Sequence, residues 1–514
     1  AGLLQLHARY EIPLDDGSNT PSGDFMLGSS NPYVVRPFGF DISVSGNPGA
    51  TAAGGGILAA AGADFDVTAT AVRWQQADDG NNDGVPDGHG TSDTDAGNNV
   101  DLSDNAATPN FGQEASAATA TLTARLDQPG GGVAGTLSGG TGVSGFIGGS
   151  ATTTLQYDEV GIIELRADTT DYLTGGQAVT GLSGYVGRFI PFDFDVTRNS
   201  PEFGTACSAG SYTYIGEPFT YSTAPVLTAT ARNSSGTTTQ NYIADFFKLT
   251  QASLKTPGTN NGYSTASGTL DTAMVPPKPA IADNGDGTAT LTFSDGGGVT
   301  FVRDGPEAPF NAEISLGLNV IDEDGVVYGD GFGNSLNPAR FGQPSAGNGI
   351  DFSDGKEQRW GRLRLLNAGG SELLPLGLPM RSEYFDGTAF IINTDDTCSG
   401  FAATDLELSN NIEAGQSDGD IDISNAASCT TTGLTTAIIA NNPFVAGDAG
   451  LSFSAPGEGC TGYADVTVPL GAQGVSYLQF DWDGDGTHTE DPEGRASFGI
   501  FSGPDEFIYI REPW

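Results

Sequence analysis

Short runs in which every second side chain is apolar, each closed within a few residues by Gly, Asp, Asn or Pro, set the terms for this chain. Residues 65–72 (Phe65-Asp-Val67-Thr-Ala-Thr-Ala71-Val72) and 118–126 (Ala118-Thr-Ala120-Thr-Leu122-Thr-Ala124-Arg-Leu126) show the pattern. Period two puts one face of a strand on a core and the other in water, whereas a helix needs apolar residues every three or four positions. No stretch carries helical Glu/Lys pairing, and only four Lys are present, none before Lys248. With 76 Gly and 28 Pro to break the chain into turns, the sequence predicts an all-β protein of short strands.

At 514 residues, a prior of about 150 residues per domain predicts three or four domains. Residues 1–30 read as a strand and a polar linker. A first module is expected over 31–196 with an acidic insert at 78–101, a second over 197–330, a third over 331–401 and a C-terminal β module over 402–514. Tyr157 and then Gly161, ahead of an alternating strand, resemble the tyrosine corner of immunoglobulin-like sandwiches. Thr108-Pro-Asn110-Phe111 is echoed by Thr239-Gln-Asn241-Tyr242, each after a polar turn, with strands expected next at 118–126 and 246–254. Such repetition predicts tandem immunoglobulin-like β-sandwich modules. Further on, 359–367 is expected to turn at 368–371 and return through 373–380 as a hairpin, its prolines marking an edge. Runs at 477–480, 496–501 and 507–510 read as closing strands.

The formal net charge is -44, and 45 of the 64 acidic residues are Asp. Such a surface repels phosphate backbones and anionic lipid, which argues against nucleic acid and against electrostatic membrane docking. No apolar run reaches the roughly 18 residues needed to cross a bilayer, so no direct membrane insertion is expected. Solubility in salty surroundings and protection of β edges against aggregation explain part of the charge. Four cysteines, Cys207, Cys398, Cys429 and Cys460, stand far apart without a CxxC pair. An even count in an Asp/Gly/Thr-rich β chain reads as disulfides in an exported, extracellular protein. Three pairings are open; the short loop favours Cys429–Cys460, which leaves Cys207–Cys398. The chain opens on strand-like sequence with no signal peptide, as a processed or truncated product would.

Asp in Gly-rich turns holds hard cations through oxygen. Asp79-Gly-Asn81-Asn-Asp83-Gly84-Val85-Pro-Asp87 spaces oxygen donors at alternate positions and resembles a thrombospondin type 3 or EF-hand ladder. Asp93, Asp95, Asn99 and Asp101 form a partial second ladder. Asp481-Trp-Asp483-Gly-Asp485-Gly486 supplies positions one, three, five and six of an EF-hand-like loop. Position twelve is Pro492, although Glu490, Asp491 and Glu493 stand close by. Calcium is the cofactor these ladders predict, and solvated turns are the plain alternative. Asp283/Asp286 and Asp322/Asp324 read as ordinary β-turns. No catalytic residue is expected: His7, His89 and His488 are the only histidines, none lies in a nucleophile or zinc motif, and His89 is expected to be exposed. Trp74, Trp360, Trp482 and Trp514 could stack on sugars, but a Trp in a sandwich more often belongs to the core.

Several strings then point to a family. They are the run 361–385 (Gly361-Arg362-Leu363-Arg364 to Arg381-Ser382-Glu383-Tyr384-Phe385), Asn393-Thr394-Asp395-Asp396-Thr397-Cys398, Phe480 to Gly486, and Gly494-Arg495-Ala496 through Tyr509-Ile-Arg511-Glu512. With Val35-Arg36-Pro37-Phe38, Val186 to Pro191 and Tyr212 to Phe219, the chain resembles MshQ-like proteins encoded with the mannose-sensitive haemagglutinin type IV pilus of gammaproteobacteria. The resemblance implies a surface or pilus-associated protein of attachment and brings no catalytic residues. The 78–101 insert and the Cys429/Cys460 pair depart from that pattern. The leading expectation is an extracellular structural or adhesive protein whose partners are pilus or cell-surface proteins, stiffened by calcium and disulfides. The alternatives are a filament or sheath subunit that partners itself and a protein that binds or acts on a glycan.

Overall fold

The computed structural model describes residues 1–499 except 16, 18, 91–94 and 96. It is all-β, with no α-helix among the described residues and only 3-10 turns such as Gln76–Asp78 and Ala244–Phe246. Alternation decides the central strands. In Asp64–Val72, Phe65, Val67, Ala69 and Ala71 are buried, and in Val226–Arg232, Leu227, Ala229 and Ala231 are.

Three immunoglobulin-like sandwiches follow one another. In the first, one sheet runs Gly39–Val44, Asp64–Val72, Ser150–Tyr157, Leu137–Gly139. The facing sheet holds Ala120–Gln128, Gly161–Thr169 and Val186–Ile190, closed by Ala59–Ala60 in parallel. The second repeats this with Asp193–Arg198, Val226–Arg232 and Thr288–Thr292 against Tyr263–Thr265, Ile314–Leu318 and Ala339–Phe341. The third sets Gly361–Leu365 and Met380–Phe385, bridged to Asp448, against Glu407–Ser409, Gly462–Thr467 and Glu493–Phe498. Here Ala368–Gly370 closes the second sheet in parallel, as Ala59–Ala60 does in the first.

The repeat is exact in hydrogen-bond register. Each central strand receives a glycine carbonyl from the strand beside it: Ala71 N–H to Gly149 O (2.9 Å), Ala231 to Gly287 (3.0 Å) and Ser382 to Gly447 (3.0 Å). The same three residues accept from Thr108 (2.7 Å), Thr239 (2.9 Å) and Asn393 (3.0 Å). The glycines have φ of +91°, +83° and +77°, and a Cβ would strike the carbonyl oxygen of Thr108, Thr239 or Asn393. The echo read in the first two modules therefore recurs in the third. Three residues on from the Thr or Asn, the first two modules bury Phe111 and Tyr242, and the third buries the carboxylate of Asp396.

Some expected elements form differently. Residues 331–401 and 402–514 share one core, in which Leu363, Met380, Leu408, Val466 and Phe498 meet. The first segment supplies most of one sheet and the second supplies most of the other, so neither closes a core alone. Residues 339–341 belong to the second sandwich. Gly361–Leu365 pairs with Met380–Phe385, which starts only at the last residue of the expected 373–380 return; within 373–379 only Leu376–Gly377 forms a strand, against Leu451–Phe453. Pro375 and Pro379 have no N–H to donate to a ladder at those positions. The expected strand at 246–254 is a 3-10 turn and loop, because Phe246, Leu249 and Leu254 bury at irregular spacing. Residues 507–510 lie outside the described residues.

Candidate cation sites at the module junctions

The described residues of the insert, 78–90, 95 and 97–101, include several that hydrogen-bond to the first sandwich. Asp79 is 2% exposed. Its carboxylate accepts from Trp74 Nε1 (2.8 Å), Asp83 N (3.0 Å) and Gly84 N (3.1 Å). Asn81 Oδ1 accepts from Asp83 N (2.9 Å), Asp83 Oδ1 from Val85 N (2.8 Å) and Asp87 Oδ2 from Gly80 N (3.0 Å). Asp95 and Asp101 accept from Gly97 N and Ser103 N (both 2.9 Å). Asp93 lies outside the described residues. Among the described residues, no three carboxylates of this ladder gather their oxygens. They serve first as acceptors for the turn amides.

His89, expected exposed, is 1% exposed. Its Nδ1 accepts from Leu182 N (2.9 Å), which fixes the proton on Nε2, and Nε2 donates to Val100 O (3.0 Å). Asn99 Nδ2 donates to Glu164 (2.8 Å) and to Ser183 O (2.7 Å). These contacts tie the insert to the sandwich. An acidic, Gly-rich string gave no sign of them.

The second candidate gathers its carboxylates. The bridge between Phe480 and Glu490 folds 480–490 into a tight hairpin and brings oxygens of Asp481, Asp483 and Glu490 within 4.8 Å of one another. Asp481 accepts from Gly484 N (2.7 Å) and Gly486 N (3.1 Å), and Asp483 from Asp485 N (3.0 Å). Glu490 accepts from Trp482 N (3.1 Å) and from the hydroxyl of Thr487 (3.0 Å). Asp485 stays outside the group; the Thr487 amide on its carboxylate lowers its pKa. Loop spacing missed Glu490 as a partner of the two Asp; strand pairing at 480 and 490 would have found it.

This hairpin sits where the second and third sandwiches meet. Arg303, from the second, lies 3.6 Å above the ring of the buried Trp360 and donates to Gly361 O (2.8 Å) and Gln479 O (2.5 Å). Burial without an acidic partner pushes its pKa down to about 9. Trp482 is 39% exposed and Trp74 50%, both beside acidic loops, while Trp514 lies outside the described residues.

The junctions are hydrogen-bonded through buried groups. At the first, Glu159 accepts from Gln240 N (2.9 Å) and Asn241 N (3.1 Å), and Arg188 forks onto Asp324 (2.8 Å on one arm). Asp322 accepts from Tyr242 OH (2.8 Å), and burial raises its pKa to about 6. The pair expected as a plain turn is thus a clamp, whereas Asp283 and Asp286 do accept from turn amides at Gly285 and Thr288. At the second junction Tyr214 OH donates to Asp396 (2.9 Å) and accepts from Asn393 Nδ2 (2.7 Å). Burial raises Glu217 to about 7, against the opposing pull of hydrogen bonds from Tyr214 N and the Tyr477 hydroxyl. A Cys207–Cys398 disulfide staples this junction across 191 residues, and Cys429–Cys460 closes a short loop in the third sandwich.

Three family models match the chain: DUF6701, second domain, over residues 36–156; DUF6701, third domain, over 159–341; and DUF6701, fourth domain, over 359–513. No curated protein matches it in sequence. Among solved structures it is similar to invasin, a bacterial integrin-binding protein (11% identity, 90% of this chain and 60% of that chain, TM-score 0.21). It is also similar to an ICAM-5 D1–D4 ectodomain fragment (10%, 96% and 82%, 0.25) and to InvD of Yersinia pseudotuberculosis (13%, 77% and 79%, 0.21). The chain thus spans about three fifths of the invasin chain, and scores this low carry nothing about function.

Proposed function

The chain is a run of the second, third and fourth DUF6701 domains, and we propose that it is an extracellular structural and adhesive protein of the bacterial surface, associated with a type IV pilus. The observation that carries this reading is the pair of junctions. Each is sealed by buried ion pairs or hydrogen bonds, and the second by a disulfide, so three sandwiches hold a fixed relation to one another. A stiff acidic array with oxidised cysteines suits a stalk or presenting surface outside the reducing cytosol. The reading assigns no catalytic role: His89 is spent on holding the insert, and His488 packs on Trp360.

Calcium belongs to this reading as a stiffener. The donor set of Asp481, Asp483 and Glu490 is all oxygen, carried on a tight turn, and each carboxylate keeps lone pairs beyond its turn amides; hard cations ask for such a set. An ion there would brace the hairpin that Arg303 anchors to the second sandwich. At 79–101 no three carboxylates of the described residues gather their oxygens, so an ion there would find fewer ligands within reach. Trp74 and Trp482 are the faces on which a glycan would stack. Immunogold labelling of intact cells, with non-reducing electrophoresis of the extracted protein, tests the proposal. Surface label on an oxidised chain is expected; a cytoplasmic pool with free thiols would sink it.

A further inference from the structure

Among the described residues, one hairpin near the start of the chain exposes several large apolar side chains. Strands His7–Pro13 and Pro21–Ser29 pair with each other, and nearly every residue of both is exposed. Tyr10 (62% exposed) and Met26 (63%) stand opposite each other and share one face of the ribbon with Ile12 (39%). Two strands alone are marginal in water, and a contiguous apolar face marks a surface that something covers.

The repeat says what covers it. In the first sandwich, Gly161–Thr169 and Val186–Ile190 close the second sheet just ahead of Asp193, the start of the next sandwich. Gly2-Leu3-Leu4-Gln5-Leu6 stands where Gly161-Ile162-Ile163-Glu164-Leu165 stands: the two glycines have φ of +146° and +144°, and they pair antiparallel with Val35 and Phe189. Tyr33-Val34-Val35-Arg36 stands where Tyr185-Val186-Gly187-Arg188 stands, and each motif runs on to Pro-Phe. The two arginines do the same work. Arg188 reaches the acidic turn of the sandwich that follows it, at Asp324, and Arg36 donates to Gly84 O (2.8 Å) in the acidic turn of the sandwich that follows it. In Gly161–Thr169 the side chains of Ile162, Ile163 and Leu165 are fully buried; their counterparts Leu3, Leu4 and Leu6 are 63%, 49% and 64% exposed.

Family boundaries point the same way. Residues 161–190 close the first sandwich, yet they fall within the match to the third domain, so the first sandwich takes its closing strands from beyond its own matched domain. From this we propose that residues 2–35 are the closing strands of a further sandwich of the same kind, carried by the same polypeptide ahead of this one, whose sheet covers Leu4, Leu6, Tyr10 and Met26. A second copy is a poorer occupant, since two chains of charge -44 repel.

Hydrogen exchange on the 514-residue chain and on the full-length polypeptide from its native source tests this. Amides of 7–13 and 21–29 should exchange at least ~100-fold more slowly in the full-length polypeptide. Tyr10→Asp with Met26→Asp should return them to the fast rate there while leaving exchange in 64–72 unchanged. Equal fast exchange in both proteins would overturn the proposal, as would a full-length polypeptide with no β module ahead of the hairpin. Protection in the 514-residue chain that grows with concentration would also overturn it, in favour of a second copy.

Discussion

Tyr214 lies in a strand between the first and second strands of the second sandwich's first sheet, yet its ring is buried in the core of the third. Asp396 occupies the position at which the first two sandwiches bury Phe111 and Tyr242. A carboxylate there needs a partner, and Tyr214 provides both the ring and the hydroxyl. Tyr214→Phe keeps the ring and removes the hydroxyl, so a fully buried carboxylate loses a donor and Asn393 Nδ2 loses an acceptor. A hydrogen bond to a charged group contributes roughly 1.5–3 kcal/mol, and an unpaired buried donor costs about 1 more. The expected loss is about 3 kcal/mol, which for a unit of 150–250 residues is roughly 6–12 °C in melting temperature. Scanning calorimetry should place that loss in the transition that Val466→Ala lowers, not in the first-sandwich transition that Val67→Ala lowers. Combined with Asp396→Asn, the two changes should couple by at least about 1 kcal/mol. If the double variant is additive within about 0.5 kcal/mol, the second and third sandwiches are not interlocked through this pair.

Glu217, raised to about 7 from the ordinary carboxylate range by burial, binds its proton more tightly folded than unfolded. Its contribution is therefore full near pH 4 and is lost as pH rises through 7, so melting temperature should fall between pH 5 and 8 and Glu217→Gln should flatten that slope. Calcium at about 100 times its dissociation constant should stabilise the chain by roughly 2.7 kcal/mol, and Glu490→Gln with Asp481→Asn should abolish the gain in a chelator-controlled melt; an unchanged melt in the parent protein would refute the site. Arg188→Ala leaves Asp324 buried and unpaired, which should cost roughly 3 kcal/mol in urea unfolding.

Period-two alternation announced the strands, and loop length announced the short disulfide, because both are local. What stayed hidden depends on contacts far apart in sequence. His89 looked like a solvated residue of an acidic loop, since nothing near it reveals that Leu182 and Val100 bond both ring nitrogens. Asp322 and Asp324 carried the signature of a turn and do form one, but Tyr242 and Arg188 turn it into a clamp. Glu490 was visible only as a nearby acid until the pairing of 480 with 490 fixed its distance to Asp481. The third repeat was masked because Asn393 and Asp396 replace the Thr and the aromatic that made the first two legible.

Folding units and family units in this chain are out of step, and that has a measurable consequence. Cutting the chain at the matched boundary, after residue 158, removes Gly161–Thr169 and Val186–Ile190 from the first sandwich. Ile162, Ile163, Leu165 and Phe189 are fully buried there, and full burial of each such side chain is worth roughly 1.5–3 kcal/mol. The loss of about 6–12 kcal/mol equals the whole stability of an ordinary domain, about 5–15 kcal/mol. A fragment ending at 158 should therefore lack a cooperative melt and bind a hydrophobic dye. One ending at 191 keeps the second sheet whole and should melt cooperatively, although Val160 and Ile162 also touch the second sandwich's core and its stability will be lower than in the full chain. Equal melts from both fragments would mean that the closing strands belong energetically to the domain that follows them, as the family boundary has it, and not to the sheet that they complete.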